Sequence, residues 1–165
     1  MSLHARGVAH VVAPLGTAFT AEQAAQIKRY TNSVTLLFDG DSAGQRATRA
    51  AREPCQKQGL QVRVAQLPAG KDPDDIAREG GREAVERVLG GARGLLEHLI
   101  DAVLKAGFST DDAVARAAKV REVEELIKTE QDAAARAMAE RLADEIAGRL
   151  GVFAGEDIKT FRAIA

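Results

Sequence analysis

The first half of the chain repeats a unit in which a short apolar run is followed by a polar loop and then by an amphipathic stretch. Apolar runs of strand length between helical stretches are typical of βαβ organisation with a mainly parallel sheet. The run VTLLF suits a strand that is covered on both faces, so we expect it at the centre of the sheet. The predicted strands are Val8–Ala13, Val34–Phe38 and Val62–Leu67.

Helices are predicted where apolar residues recur at helical spacing behind a capping residue. Thr20 and Gln23 form a capping box that begins a helix to about Tyr30, and Gly59 ends the next helix. From about Arg82 onward no strand pattern remains, so the rest should be a helical bundle. Its helices are predicted at Gly94–Lys105, Asp111–Lys128, Glu130–Leu150 and Glu156–Ala163, after a short helix at Asp75–Glu79. The core positions predicted in the two longest are Val120, Val123, Leu126, Ile127, Met138, Leu142, Ile146 and Leu150.

Composition narrows the class of protein. With 165 residues, 45% of them hydrophobic, the chain can bury the core of one soluble domain or slightly more. Only 4% of the residues are aromatic and there is no Trp, so the core should be aliphatic and largely helical. A single cysteine, Cys55, excludes an internal disulfide, and the three scattered histidines offer no structural zinc site. No apolar run is long enough for a membrane span or a signal peptide, so a cytoplasmic protein is expected.

The net charge of −1 hides an asymmetry along the chain. Residues 1–95 carry 13 Lys and Arg against 10 Asp and Glu, whereas residues 96–165 carry 10 against 14. A polyanion such as a nucleic acid should therefore prefer the first part.

The segment DGDSAG contains the strongest candidates for metal-binding residues. It places Asp39 and Asp41 directly after a predicted strand and before a helix, where ligands collect in open parallel sheets. Carboxylate oxygens suit Mg²⁺, which binds one or two carboxylates together with substrate phosphates. Gly40 allows a tight turn, and Gly44 allows backbone or phosphate to approach the start of the helix. The alternative is that this segment is an ordinary acidic turn.

A second acidic loop, GKDPDD, also follows a predicted strand. Its Asp72 and Asp74 should reach the same edge of the sheet as the first pair, and a divalent cation would offset the repulsion among four carboxylates. Pro73 suits a helix start, so Asp74 and Asp75 have an alternative interpretation as capping and first-turn acids.

Several weaker candidates lie near the same edge. Gly16 and Thr17 could bind phosphate through backbone N–H groups and a hydroxyl, and Lys71 could contact phosphate or balance the acidic loop. A helix after the first acidic loop carries a basic stripe, which could meet nucleic-acid phosphates or simply be solvated. The stripe consists of Arg46, Arg49 and Arg52. No His lies near Cys55, so nucleophilic catalysis has no support.

The succession HVVAPLGTAFT, VTLLFDGDSAGQRA and VAQLPAGKDPDDI resembles the toprim domain of bacterial DnaG-type DNA primases. The stretch AARAMAERLADEIAGRLGV is similar to the helical subdomain that follows it in the primase polymerase core. The resemblance implies an α/β fold: an incomplete, Rossmann-like toprim domain with a mainly parallel sheet at residues 1–92, then an all-helical subdomain at 93–165.

The resemblance also implies a function, the synthesis of short RNA primers on single-stranded DNA during replication. Asp39, Asp41, Asp72 and Asp74 would bind Mg²⁺ or Mn²⁺, with Asp39 and Asp41 catalytic and Gly16, Thr17, Gly40, Gly44 and Lys71 near nucleotide phosphates. Implied partners are NTPs, the template, and a replicative helicase through a domain absent here. The family's glutamate-bearing strand is also absent, so the isolated chain should be inactive. We expect the sheet edge left by that strand to promote self-association.

Three other functions stay open at this stage. Toprim domains also serve nucleases, topoisomerases and recombination proteins. A phosphotransferase could use Asp39 as its nucleophile, with Lys71 as the candidate lysine at a later strand end. The acidic helical part could instead make the chain a non-catalytic interaction module.

Overall fold

The computed structural model describes residues 2–14, 19–39, 41–105 and 112–149. Its elements are α1 Ser2–Ala5, α2 Ala21–Lys28, β1 Ser33–Leu36, α3 Ser42–Ala50, α4 Arg52–Lys57, β2 Gln61–Val64, α5 Pro73–Gly90, β3 Arg93–Gly94, α6 Leu95–Lys105, α7 Ala113–Lys128 and α8 Ala133–Arg149. They form two compact units, Met1–Leu95 and Leu96–Ala165. The first is α/β and the helices of the second form a bundle, which confirms the predicted fold class.

The sheet of the first unit has three strands in the order β1-β2-β3. β1 and β2 are parallel, with Val34 opposite Val62 and Leu36 opposite Val64. β3, only two residues long, pairs antiparallel with β2 and was not predicted. Such a short strand has no periodicity to detect, and it is held where the Arg63 guanidinium donates to the Ala92 carbonyl.

The sheet edge differs from the prediction in two ways. Val8–Ala13 is not a strand, and β1 is the outer strand of the described sheet instead of a central one. Val8 is buried and Val11 packs beside it in a cluster with Leu67 and Ile76, but Val12 is 74% exposed. The segment therefore uses its apolar residues in side-chain packing and does not enter the sheet.

Thr31 protects part of the outer edge of β1. Its hydroxyl donates to the Ser33 carbonyl at 3.0 Å and accepts from the Ser33 N–H at 3.1 Å. Strand edges with unpaired backbone groups attract further strands, and a side chain that satisfies these groups limits that tendency. Self-association through this edge stays a prediction, and Thr31 shortens the stretch available for it.

One apolar cluster joins the sheet to the helices α2 and α4 that pack on it. Val34 and Val62 pack against Ala24 of α2 and Cys55 of α4, together with Leu60. The capping box predicted at Thr20 is confirmed, since the Gln23 N–H donates to the Thr20 hydroxyl and the Gln23 side chain accepts from the Thr20 N–H. The predicted single helix ending at Gly59 is divided into α3 and α4 at Ala51, because Pro54 has no N–H to donate to the preceding turn.

Helix α5 is much longer than the predicted Asp75–Glu79. It begins at Pro73 and bends at Gly81, whose φ of 62° and ψ of −158° are not helical. That backbone conformation is open to glycine and costly for other residues. The sequence predicted the end of the helix at Glu79 because the following pair, Gly80-Gly81, is of a kind that usually ends a helix.

Three of the four helices predicted for the second part of the chain lie within the described residues, as α6, α7 and α8, with bounds shifted by up to three residues. Val123, Ile127 and Ile146 are buried in its cluster, and Val120, Leu126 and Leu142 pack against them as predicted. Met138 is 59% exposed, so its predicted core position is wrong. The smaller Ala139 and Ala143 of α8 are fully buried in the cluster instead. Leu150 and the helix predicted at 156–163 lie outside the described residues.

Among the helices of the described ranges, none combines the length and hydropathy that crossing a membrane requires.

Candidate metal and phosphate site

The loop after β1 is shaped by a close approach between Gly44 and Asp39. A Cβ added at Gly44 would lie 2.0 Å from the Asp39 carbonyl oxygen and 3.0 Å from its carbonyl carbon. No side chain fits in that space. Of the two approaches that the sequence left open for Gly44, the structure shows the backbone one. Gly44 thereby sets the path of the backbone that carries Asp39.

Asp41 begins helix α3 as its N-cap. One of its oxygens, Oδ1, accepts the Gly44 N–H at 2.8 Å. The side chain of Thr48, one turn further along, donates to the Gly44 carbonyl at 2.9 Å and is buried. The cap uses one of the two carboxylate oxygens of Asp41. The residue is exposed, so the other oxygen faces a solvated loop.

The loop after β2 ends in a second acidic cap. Asp72 Oδ1 accepts the Asp75 N–H at 2.8 Å, and Asp75 Oδ2 accepts the Asp72 N–H at 3.1 Å. This reciprocal box begins α5, with Pro73 in its first turn. The cap is therefore Asp72 and not Asp74, whereas Asp74 and Asp75 are first-turn acids of α5, as the alternative interpretation predicted. The sequence carried the signal, because a proline at the first helical position makes the preceding residue the cap.

Asp74 and Lys71 each form an ion pair with an oppositely charged residue of α5. Asp74 Oδ2 lies 2.6 Å from an Arg78 guanidinium nitrogen, and Lys71 Nζ pairs with Glu79 Oε2. Lys71 is therefore engaged by a carboxylate in this structure, which weakens its interpretation as the lysine of a phosphotransferase. Sequence reasoning missed Arg78, although its position four residues after Asp74 is the usual spacing of a helical ion pair.

Both acidic loops lie at one edge of the sheet. β1 and β2 run parallel, so their carboxyl ends point the same way and the loops that begin at Leu37 and Ala65 leave from the same side. The predicted juxtaposition of the two loops is confirmed at this level. Within residues 2–14, 19–39, 41–105 and 112–149, however, no three Asp, Glu, His or Cys side chains form a group that could hold a metal ion. Metal binding stays a prediction.

The remaining candidates are placed as follows. Arg46 and Arg49 are exposed on α3 and Arg52 is half-buried at the start of α4. Arg46 donates to the Ser42 hydroxyl at 3.3 Å. Gly16, Thr17 and Gly40 lie outside the described residues, so their phosphate contacts also stay predictions.

Known proteins are similar to this chain in sequence and in fold. A family model described as Toprim-like matches residues 1–77. The DNA primase of Clostridium acetobutylicum is 34% identical over 128 residues, which are 78% of this chain and 21% of the relative. The solved E. coli primase catalytic core has a TM-score of 0.71 at 29% identity, covering 95% of this chain and 50% of that one. By these comparisons, the chain corresponds to part of a DnaG-type DNA primase.

A DnaG primase catalytic domain solved with bound ssDNA is also similar to this primase chain, with a TM-score of 0.70 at 30% identity over 89% of this chain and 47% of that one. The primase chain thus spans about half the length of the solved catalytic cores and about a fifth of the Clostridium relative. Its match to them extends through both the α/β unit and the helical unit.

Cys55 lies on α4, in the α/β unit of the chain. Its side chain is fully buried, and burial raises the pKa of the thiol to about 11. A buried thiol with so high a pKa is a packing group and not a nucleophile. The sequence likewise places no His near Cys55 that could activate its thiol.

Cys55 predicts a pH dependence of stability. The folded-state pKa lies above the ordinary value of 9.0, so the stabilisation of the neutral thiol is complete below pH 9 and is lost as the pH rises through 11. Between pH 8 and pH 10 we expect the wild type to lose about 1 kcal/mol more unfolding free energy than Cys55→Ala. Urea denaturation at both pH values measures this difference, and parallel losses in the two proteins would contradict it.

Proposed function

We propose that this chain provides the metal- and nucleotide-binding part of a DNA primase that synthesises RNA primers on single-stranded DNA. The observation that carries the proposal is the parallel pairing of β1 and β2, which brings two acidic loops to one sheet edge in a chain whose relatives are DNA primases. Four carboxylates from two loops can hold cations against one polyphosphate only if the two loops lie at the same edge of the sheet.

The donor set fits a hard divalent cation. Asp39, Asp41, Asp72 and Asp74 offer carboxylate oxygens, which Mg²⁺ and Mn²⁺ prefer. Asp41 and Asp72 each use Oδ1 in a helix cap, which leaves one oxygen per residue for a cation. When bound, the metal would neutralise the triphosphate and lower the pKa of the attacking hydroxyl. Asp39 and Asp41 would hold it closest to the reacting groups.

The backbone of the first loop would orient the nucleotide. At the start of α3, as at any helix N-terminus, backbone N–H groups point out of the end of the helix and suit phosphate oxygens. Gly44 keeps this turn narrow. Further phosphate contacts are proposed for Gly16, Thr17, Gly40 and Lys71, the last after exchange of its Glu79 partner.

The arginines of α3 and of the start of α4 would extend the site along the nucleic acid. Arg46, Arg49 and Arg52 stand about one turn apart, so they can follow successive phosphates of the template. The excess of basic residues in the first 95 positions supports the same assignment.

The domain and partner assignments follow from the same proposal. Residues 1–92 would be the toprim domain and residues 93–165 the helical subdomain, close to the division between the two compact units. Its partners would be NTPs, the template strand, the replicative helicase and, through the outer edge of β1, a second copy. The chain would act in the cytoplasm.

The metal part of the proposal predicts that Asp39→Asn and Asp41→Asn each weaken Mn²⁺ binding by roughly ten-fold or more, about 1.4 kcal/mol. Asparagine caps a helix nearly as well as aspartate, so Asp41→Asn removes the charge and keeps the cap. Titration of the 165-residue chain with Mn²⁺, followed by calorimetry, measures the affinities.

Asp112→Asn is the matched control. Asp112 is also an N-cap, accepting from Val114 and Ala115 at 3.0 Å, but it begins α7 of the helical unit. Its replacement should leave Mn²⁺ affinity unchanged. If all three variants bind Mn²⁺ like the wild type, the carboxylates after β1 are not metal ligands.

A further inference from the structure

Arg78 lies one helical turn after Asp74, and the two side chains form an ion pair at 2.6 Å. The Arg78 side chain is 65% exposed and the Asp74 side chain 27% exposed. The pair stands at the start of α5, on the loop that follows β2. Arg78 therefore places a cation directly on one of the four carboxylates at the sheet edge.

The charges of this loop are paired within the loop and α5. Lys71 binds Glu79, Asp72 and Asp75 cap each other's backbone, and Asp74 binds Arg78. The ion pair with Arg78 holds the Asp74 carboxylate in a defined orientation and offsets its charge. Six charged side chains between 71 and 79 carry a net negative charge, which one divalent cation would offset.

An exposed ion pair between residues four apart on a helix is weak, and removing it shifts an equilibrium by only about two-fold. A divalent cation brings twice the charge of the guanidinium and can displace it. The displaced guanidinium stays close, because four helical residues span only about 6 Å. A guanidinium donates two parallel hydrogen bonds to a phosphate, which makes it a suitable ligand for a phosphate carried by that cation.

We propose that Arg78 is the counter-ion that a divalent cation displaces from Asp74, and that the released guanidinium then binds a phosphate of the nucleotide. The inference rests on the proposed metal site and assigns a further nucleotide-binding residue beside it. Arg78 thus couples the two ligands: it weakly opposes the metal alone and favours the metal together with a triphosphate.

The test compares Arg78→Gln with Arg82→Gln. Arg82 forms an ion pair of the same kind on the same helix, with Glu86 at 2.6 Å, and its side chain is 60% exposed. Arg78→Gln should bind Mn²⁺ about two-fold more tightly than the wild type without nucleotide. In saturating Mn²⁺ it should bind ATP about ten-fold more weakly, the effect of one lost charge-assisted hydrogen-bond pair. Arg82→Gln should match the wild type in both titrations.

The same titrations in an Asp74→Asn background separate displacement from a general charge effect. Without the Asp74 carboxylate, Arg78→Gln should no longer change Mn²⁺ affinity. The inference is overturned if the gain persists in that background, or if Arg78→Gln and Arg82→Gln behave alike. A wild-type chain that binds no Mn²⁺ would instead overturn the proposed metal site, and the inference with it.

Discussion

Gly44→Ala is expected to lower the free energy of unfolding of the α/β unit by about 3 kcal/mol, the upper end of the usual cost of overpacking. The added Cβ would lie 2.0 Å from the Asp39 carbonyl oxygen, and a backbone atom cannot rotate away as a side chain can. Relief requires the loop to move, which shifts both Asp39 and the Asp41 cap. We therefore also expect weaker Mn²⁺ binding than in the wild type, measured by calorimetry beside urea denaturation.

Gly90→Ala is the control for this prediction. Gly90 is also helical, at the end of α5, and a Cβ there would meet no atom within 4 Å. Alanine should leave the stability unchanged or raise it by up to about 1 kcal/mol, because it favours the helix. If Gly44→Ala is as stable as Gly90→Ala, the close approach of Gly44 to Asp39 is not a constraint of the fold.

Ile100→Ala is expected to lower the free energy of unfolding of the helical unit by about 2–5 kcal/mol. Ile100 is fully buried in the cluster that also contains Leu104, Val123 and Ile146, so its truncation loses apolar contacts and leaves a cavity. Urea denaturation followed by circular dichroism measures the loss, since this unit is helical.

The matched control in the same unit is Met138→Ala. Met138 is 59% exposed, and both residues favour helices, so its replacement should change the stability by less than about 0.5 kcal/mol. Equal effects of Ile100→Ala and Met138→Ala would contradict the assignment of the core of this unit.

Residue patterns in the sequence predicted the location of the candidate site but not the contacts of its side chains. Two strand-end acidic loops were sufficient to predict a common edge, because parallel strands of an α/β sheet direct their carboxyl ends to one side. The same patterns did not predict that Asp41 and Asp72 cap helices or that Arg78 binds Asp74. Aspartate suits a cap and a metal site equally, so the residue type alone does not select between them.

What the sequence by itself determined is the local structure. Thr20 and Gln23 form their capping box within four residues, and α6 to α8 follow from apolar residues on one helical face. These interactions join neighbours in the chain, so they need no knowledge of the rest of the fold.

Only the tertiary structure decided which apolar segments pair and which backbones meet. Val8–Ala13 has the composition of a strand but packs through its side chains, and the unpredicted β3 enters the sheet in a two-residue pairing. The approach of Gly44 to the Asp39 carbonyl likewise depends on the path of a loop. Strand pairing and loop paths result from competition among segments that are distant in the chain. The composition of one segment therefore does not show which other segments will compete with it for a place in the sheet.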